Sequence, residues 1–204
     1  MTKQSRSVPV MQAVLDAVAE RLMAGDELLI RIPEICEATG VNYGSVYHHF
    51  GSREGVIDAA YNMIFTRFVE EDLAIFGSSV DSSVATLDEY VEVMGPLVAT
   101  MHSGPERRAR RAMRARIVAA ASTRPHLKEL IGASQERLTN DLEVLTKAAQ
   151  EQRWLRDDIP ASALAVLFQV LVFGRALDDI SSDPIDEADW ELMIGNLFLS
   201  LLAK

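Results

Sequence analysis

Apolar residues recur along most of this chain at the three-and-four spacing of a helix, and no stretch of useful length alternates as a strand would. Val10, Val14, Val18 and Leu22, with Ala13 and Ala17 beside them, form the first stripe. Pro9 suits a first helical position with Ser7 nearby as cap, and Gly25-Asp26 closes the helix. Residues 1–7 are polar and are expected to be disordered, with Lys3 and Arg6 available as a basic arm. Further on, Ser52 caps a helix to about Ile75, with Val56, Ala60, Ile64 and Phe68 on one face and a loop at Phe76–Ser79. Gly55 should cost that helix up to ~1 kcal/mol against alanine. Helices are then predicted from Ser82 or Ser83 to about Met101, over 106–121, from His126 to about Trp154, from Pro160 to about Asp179, and from about Glu187 to Leu202. The fold class is all-α.

Between the first two long helices lies the most informative stretch, Ile32 to Arg53. A short amphipathic segment runs into Gly40, which enters left-handed φ at no steric cost, and Asn42 is placed to cap a second short helix. Ile35, Val41, Val46 and Phe50 can pack the two at a steep angle, the helix-turn-helix arrangement. That leaves Tyr43, Gly44, Ser45, Tyr47, His48 and His49 outside, a small, aromatic, hydrogen-bonding face suited to a DNA major groove.

The run Ile35-Cys36, Thr39-Gly40-Val41 and Val46-Tyr47-His48-His49-Phe50-Gly51-Ser52-Arg53 resembles the signature of the TetR family of transcriptional regulators, over about the first third of the chain. The resemblance implies that Tyr43, Gly44 and Ser45 read bases, that Tyr47, His49 and Arg53 contact phosphates, and that His48 does either. Three positions depart from the family pattern. Cys36 and Thr39 stand where alanine is usual, and Arg31 stands near a position that commonly holds a capping Thr or Ser. Pro33 sets the helix start instead, and Arg31 could still meet a phosphate as a cation.

A chain of 204 residues with 49% hydrophobic and 25% charged positions has ordinary globular composition. No stretch is expected to approach a membrane span, the N-terminus lacks a signal-peptide apolar run, and the single Cys36 fits a reducing cytoplasm. The net charge of −10 argues superficially against nucleic acid, and residues 1–55 do not reverse it, with five basic residues against seven acidic ones for a net −2. Screening over roughly 8–10 Å makes local placement matter more than the sum, so strongly salt-sensitive binding through few cations is expected.

The cluster Arg107, Arg108, Arg110, Arg111, Arg114 and Arg116 reads as a solvated face paired with carboxylates, with a second nucleic-acid surface or an anion-pairing arginine as the sharper alternatives. The last two helices are apolar on more than one face, which suits a core on one side and a second subunit on the other. Leu167, Leu171, Ile194, Phe198 and Leu201 are the expected dimer face, in keeping with the pairing of the last two helices that the family resemblance implies. Tyr90, Met94, Met101, His102, Met113, Gln169 and Arg175 are the candidate lining of an apolar effector cavity. No serine elbow, phosphate-cradling glycine loop or metal-ligand cluster stands in the sequence, so no enzyme, cofactor or metal is expected.

These readings converge on a cytoplasmic, homodimeric regulator. Residues 1–53 would bind a palindromic double-stranded operator, and residues 54–204 would bind a small, largely apolar effector and dimerise. Repression relieved by the effector is the expected mode. The rival reading is an all-α carrier of apolar ligands with a vestigial DNA-binding unit.

Overall fold

The computed structural model describes residues 3–25, 27–79 and 84–203. Its helices are α1 (Lys3–Ala24), α2 (Ile32–Thr39), α3 (Tyr43–Phe50), α4 (Arg53–Ser79), α5 (Leu87–Thr100), α6 (Pro105–Thr123), α7 (Pro125–Glu151), α8 (Ala161–Asp178) and α9 (Glu187–Ser200), with a 3-10 turn at Glu27–Leu29. No strand occurs among the described residues, and the fold is all-α. Two compact units divide the chain. One holds Met1–Arg67 and Ala119–Ile131, the other Phe68–Val118 and Gly132–Lys204.

The first unit packs the inner stripes of α1, α2, α3 and the start of α4. Val14, Val18 and Leu22 of α1 are fully buried, as are Ile35 of α2, Val46 of α3 and Val56, Ile57, Ala60 and Ile64 of α4. Helix α1 begins at Lys3, ahead of Pro9, and the side chains of Lys3, Arg6 and Ser7 lie outside the described residues, as does Asp26. Arg124, between α6 and α7, binds the carboxylates of Asp58 (3.1 Å) and Glu27, and Glu27 also accepts from the Tyr61 hydroxyl at 3.0 Å.

Two local expectations change here. Helix α4 runs on through Phe76 and Gly77 to Ser79, where a loop was expected. Gly55 is a requirement and not a defect of that helix. A Cβ at this position would stand 2.0 Å from the Phe50 carbonyl oxygen, so only glycine lets α4 begin so close behind α3. Ser52 caps α4 as expected, its Oγ accepting from the Gly55 N–H at 3.0 Å.

The second unit is built around Tyr90, Met94 and Val98 of α5, Leu164 of α8, and Ile194, Phe198 and Leu201 at α9. Trp154 and Leu155 join it from the turn after α7, with the Trp154 ring stacked on Tyr90 at 4.9 Å. Helix α5 opens on a capping box between Thr86 and Glu89; Ser82 and Ser83, the expected caps, lie outside the described residues. The arginines of α6 are largely tied down within this unit. Arg107, Arg110 and Arg114 converge on Asp72, Arg110 also reaches Glu71 at 2.8 Å, and Arg108 and Arg111 share Asp179.

The stripe expected to face a second subunit points inward. Ile194, Phe198 and Leu201 are 1%, 2% and 5% exposed, and Leu167 and Leu171 pack half-buried against the same core. Helices α8 and α9 each carry two apolar stripes, and spacing alone does not say which one meets α5. The outward stripes are Val166, Val170, Phe173 and Leu177 on α8, with Leu192, Met193 and Leu199 on α9. Helix α8 is also, by length and composition, apolar enough to cross a membrane, at 18 residues and mean hydropathy 1.5, against the expectation that no stretch comes near a span.

Truncating Phe198 to alanine should therefore cost about 3–5 kcal/mol of folding stability, the usual cost of emptying a buried aromatic site. Urea unfolding followed by tryptophan fluorescence measures it; a loss below about 1 kcal/mol would mean that Phe198 is not a core residue.

Candidate nucleic-acid interface and effector cavity

Helices α2 and α3 are eight residues each, joined by a turn in which Gly40 takes φ +70° and returns its N–H to the end of α2. Asn42 stands extended ahead of α3, and its side chain accepts from the Ser45 N–H at 3.3 Å. Val46 is the one fully buried side chain of α3. Tyr43, Gly44, Ser45, His48 and His49 are exposed and Tyr47 is half-buried. The Tyr43 and Tyr47 rings lie 4.4 Å apart, and a hydrogen bond between them, followed by burial, raises the Tyr47 phenol above its ordinary value. The Tyr47 hydroxyl therefore stays protonated at neutral pH. Gly44 also spares the cap, since a Cβ there would stand 3.1 Å from the Asn42 side-chain oxygen.

The two arginines differ. Arg31 precedes α2 without capping it, and it is exposed, its contact to the Leu28 carbonyl a long 3.4 Å. Arg53 is half-buried and already engaged. Its Nε donates to the Ile30 carbonyl at 3.1 Å and its Nη2 to the Glu27 carbonyl at 2.6 Å. The chain segment 27–30 contains few local signals that would mark it as the partner of a residue 23 or more positions away, so sequence reading missed the clamp.

A cavity of about 340 Å³ opens in the second unit, walled by Phe76, Val98, Leu142, Trp154, Phe168 and Phe198 among others. Of the expected lining, Tyr90 and Met94 are there. Burial pushes the Tyr90 phenol up to about 12, which keeps it a neutral donor. Met101 instead borders a narrow crevice beside the α6 arginines, and Met113 is buried away from the cavity. The Gln169 amide is engaged with Gln135, Thr139 and the Ala165 carbonyl. His102 and Arg175 are buried together at the far end of the α5 and α8 stripes. Trp154, Phe168 and Phe198 were missed because a stripe read as core looks the same whether or not a void lies beside it.

Residues 17–60, from α1 into α4, match the model of the bacterial regulatory proteins of the tetR family. Over 198 residues the chain is 24% identical to the HTH-type transcriptional regulator UidR of Escherichia coli (strain K12), covering 95% of each. The chain is thus similar to TetR-family transcriptional regulators, by the family model over residues 17–60 and by the relative over nearly its whole length. The TetR-family regulator from Cytophaga hutchinsonii has the same fold, with a TM-score of 0.73 at 17% identity over 98% of each chain. So does a transcriptional regulator from Saccharomonospora viridis solved in complex with choline, at 0.65 and 14% identity over 99% of this chain and 100% of that one. The relatives that these comparisons name are transcriptional regulators, and the matched residues 17–60 take in the helix-turn-helix of α2 and α3.

Removing the Arg53 clamp should lower stability by about 1–3 kcal/mol, because two carbonyls lose charge-assisted partners. It should leave the slope of log affinity against log salt unchanged on any bound duplex, because the guanidinium is committed to the Ile30 and Glu27 carbonyls. Thermal unfolding and binding titrations of Arg53→Ala measure both; a slope shallower by one unit with unchanged stability would return Arg53 to the phosphate.

Proposed function

We propose that this chain is a TetR-family regulator, a cytoplasmic homodimeric repressor that holds a palindromic double-stranded operator and releases it when a small, largely apolar effector binds. The observation that carries the reading is the outward face of α3, which presents hydrogen-bonding side chains while only Val46 is committed to the core. By task, residues 1–53 serve the DNA, and residues 54–204 serve effector and dimer. Tyr43, Gly44 and Ser45, at the start of α3, meet base edges. Tyr47, His49 and Arg31 meet phosphates, and His48 does either. Arg53 acts by holding the turn ahead of α2.

The effector site is the cavity beside Tyr90 and Met94. Its 340 Å³ lies at the small end of the range for ligand pockets, and its walls are mostly apolar. The choline complex of the S. viridis regulator supports a small-molecule occupant for this fold. Phe76 of α4 lines the cavity, and α4 begins directly behind α3, so an occupant that favours one position of α4 biases the DNA-competent population.

Selection of bound duplexes from random DNA tests the operator reading, and a two-fold consensus is expected. Against that consensus, Tyr47→Ala should weaken binding to all sequences about equally, whereas Ser45→Ala should alter base preference within a half-site. The reverse pattern would exchange their roles, and an absence of any salt-dependent duplex binding would favour a ligand carrier.

The dimer is assigned to the outward stripes of α8 and α9 in place of the inward one. Val170 and Leu177 are 57% and 76% exposed, and a second copy would cover them on both sides of a two-fold axis. Val170→Glu and Leu177→Glu should keep their helix content, sediment as monomers, and lose nearly all specific affinity, since half-sites lie about 34 Å apart. Variants that remain dimeric would move the interface elsewhere.

A further inference from the structure

At one end of the second unit lies a group of polar atoms shut off from solvent with no hydrogen-bond partner among the described residues. They are Nε and Nη1 of Arg175, Nε1 of Trp190, both ring nitrogens of His102 and the Ser103 hydroxyl. They sit close together. The Arg175 guanidinium carbon lies 4.7 Å over the Trp190 ring, and the His102 ring meets Trp190 edge-on at 6.2 Å. Arg175 is only 2% exposed and His102 only 1%.

The neighbouring arginine is the informative contrast. Arg111 is as deeply buried but fully engaged, its Nε and Nη2 on the two oxygens of Asp179 and its Nη1 on the His102 carbonyl. Arg108 takes the same carboxylate at 3.2 Å. Asp179 is thus taken by Arg111 and Arg108. Asp179, Glu187 and Asp178 lie near enough to favour the Arg175 charge, but Nε and Nη1 of Arg175 hydrogen-bond to none of them, an arrangement that is unfavourable unless something completes it. Burial, with Arg111, Arg175 and Arg107 nearby, pushes His102 down to about 4, so its ring is neutral and keeps one N–H to donate. Unpartnered guanidinium, indole and imidazole donors grouped about the Trp190 ring match the needs of an oxyanion.

The group lies beyond the cavity lining, toward one end of the same helices. Tyr90 meets Phe198 and His102 meets Trp190, so α5 and α9 run antiparallel along one shared stripe. Val98 and Phe168 line the cavity; His102 lies in the turn just past the end of α5, four residues after Val98, and Arg175 is seven residues beyond Phe168 on α8, about 10 Å along that helix.

We infer that Arg175, Trp190 and His102 form an oxyanion site that receives the carboxylate of the effector, whose apolar body lies toward Val98 and Phe168. The inference rests on the effector reading above and narrows it to amphipathic organic acids.

Octanoate and 4-phenylbutanoate are suitable probes, each beside its uncharged amide, with inorganic sulfate as the free-oxyanion arm. At a hundredfold excess over Kd the acids should raise the thermal midpoint of the full-length protein by about 5–10 °C, and the amides should not. Arg175→Met should abolish that response, and without acid it should unfold no earlier than the parent, because buried unpartnered guanidinium N–H groups are gone. Trp190→Phe keeps the stack, loses the N–H, and should bind octanoate about tenfold more weakly; it decides the matter if Arg175→Met fails to fold. Equal responses to acid and amide, or an unchanged response in either variant, would overturn the site. Stabilisation by sulfate without the acids would overturn the carboxylate assignment. A dimeric parent that ignores the acids, with an Arg175→Met variant that sediments as a monomer, would overturn it by assigning the acceptor to a second copy. Acids that bind through Arg175 yet leave operator DNA bound would sink the effector reading and keep the site. A neutral compound that releases DNA where no acid binds would do the opposite.

Discussion

An isolated helix of eight residues is not stable in water, where even good sequences need about 12–15. Both α2 and α3 have that length, so the candidate DNA-reading surface depends on what holds α3 from outside. The holding is done by few groups. Val46 anchors its inner face, Asn42 caps its start, and Gly51, at φ +79°, ends it. Gly55 lets α4 follow at once, and Arg53 fastens the first turn of α4 to the carbonyls ahead of α2. Because the anchors are so few, Tyr43, Ser45, His48 and His49 remain outside and the face stays open to DNA.

Positive charge is scarce on that surface and plentiful in the second unit, where it serves other ends. Arg110 and Arg114 lie on the Phe68 ring at 4.7 and 5.7 Å and share Asp72, so their charge is satisfied within the unit. Such pairs are neutral to stability on average, but breaking one by removing a single partner leaves a charge exposed to low dielectric. Arg175 stands at the same depth in the same unit as the satisfied Arg111, with carboxylates near but Nε and Nη1 unpartnered. The contrast between the two is what the proposed oxyanion site rests on.

The outer faces of α8 and α9 follow from the same geometry as the inner ones. Aromatic stacking of Tyr90 on Trp154 and the packing of Phe198 set the rotation of α9 about its axis. With that rotation set, Leu192 and Leu199 point outward, and α8 turns Val166, Val170, Phe173 and Leu177 outward from its own core face. The cavity and the proposed dimer face are therefore opposite sides of one packing solution.

The sequence by itself determined the helical class, the turn at Gly40, the caps at Asn42 and Ser52 and the outward character of the α3 residues, because each depends on neighbours within about four positions. Tertiary structure decided what depends on distant partners. It turned Ile194, Phe198 and Leu201 inward, since two apolar stripes on one helix are equivalent until a neighbour chooses between them. It took Arg53 for carbonyls 23 and 26 residues away, and it made Gly55 indispensable through the Phe50 carbonyl. It also separated Tyr90 and Met94, which border a void, from Met113, which does not. Period and composition are the same in both cases, and only the meeting of helices distant in sequence leaves or fills the space.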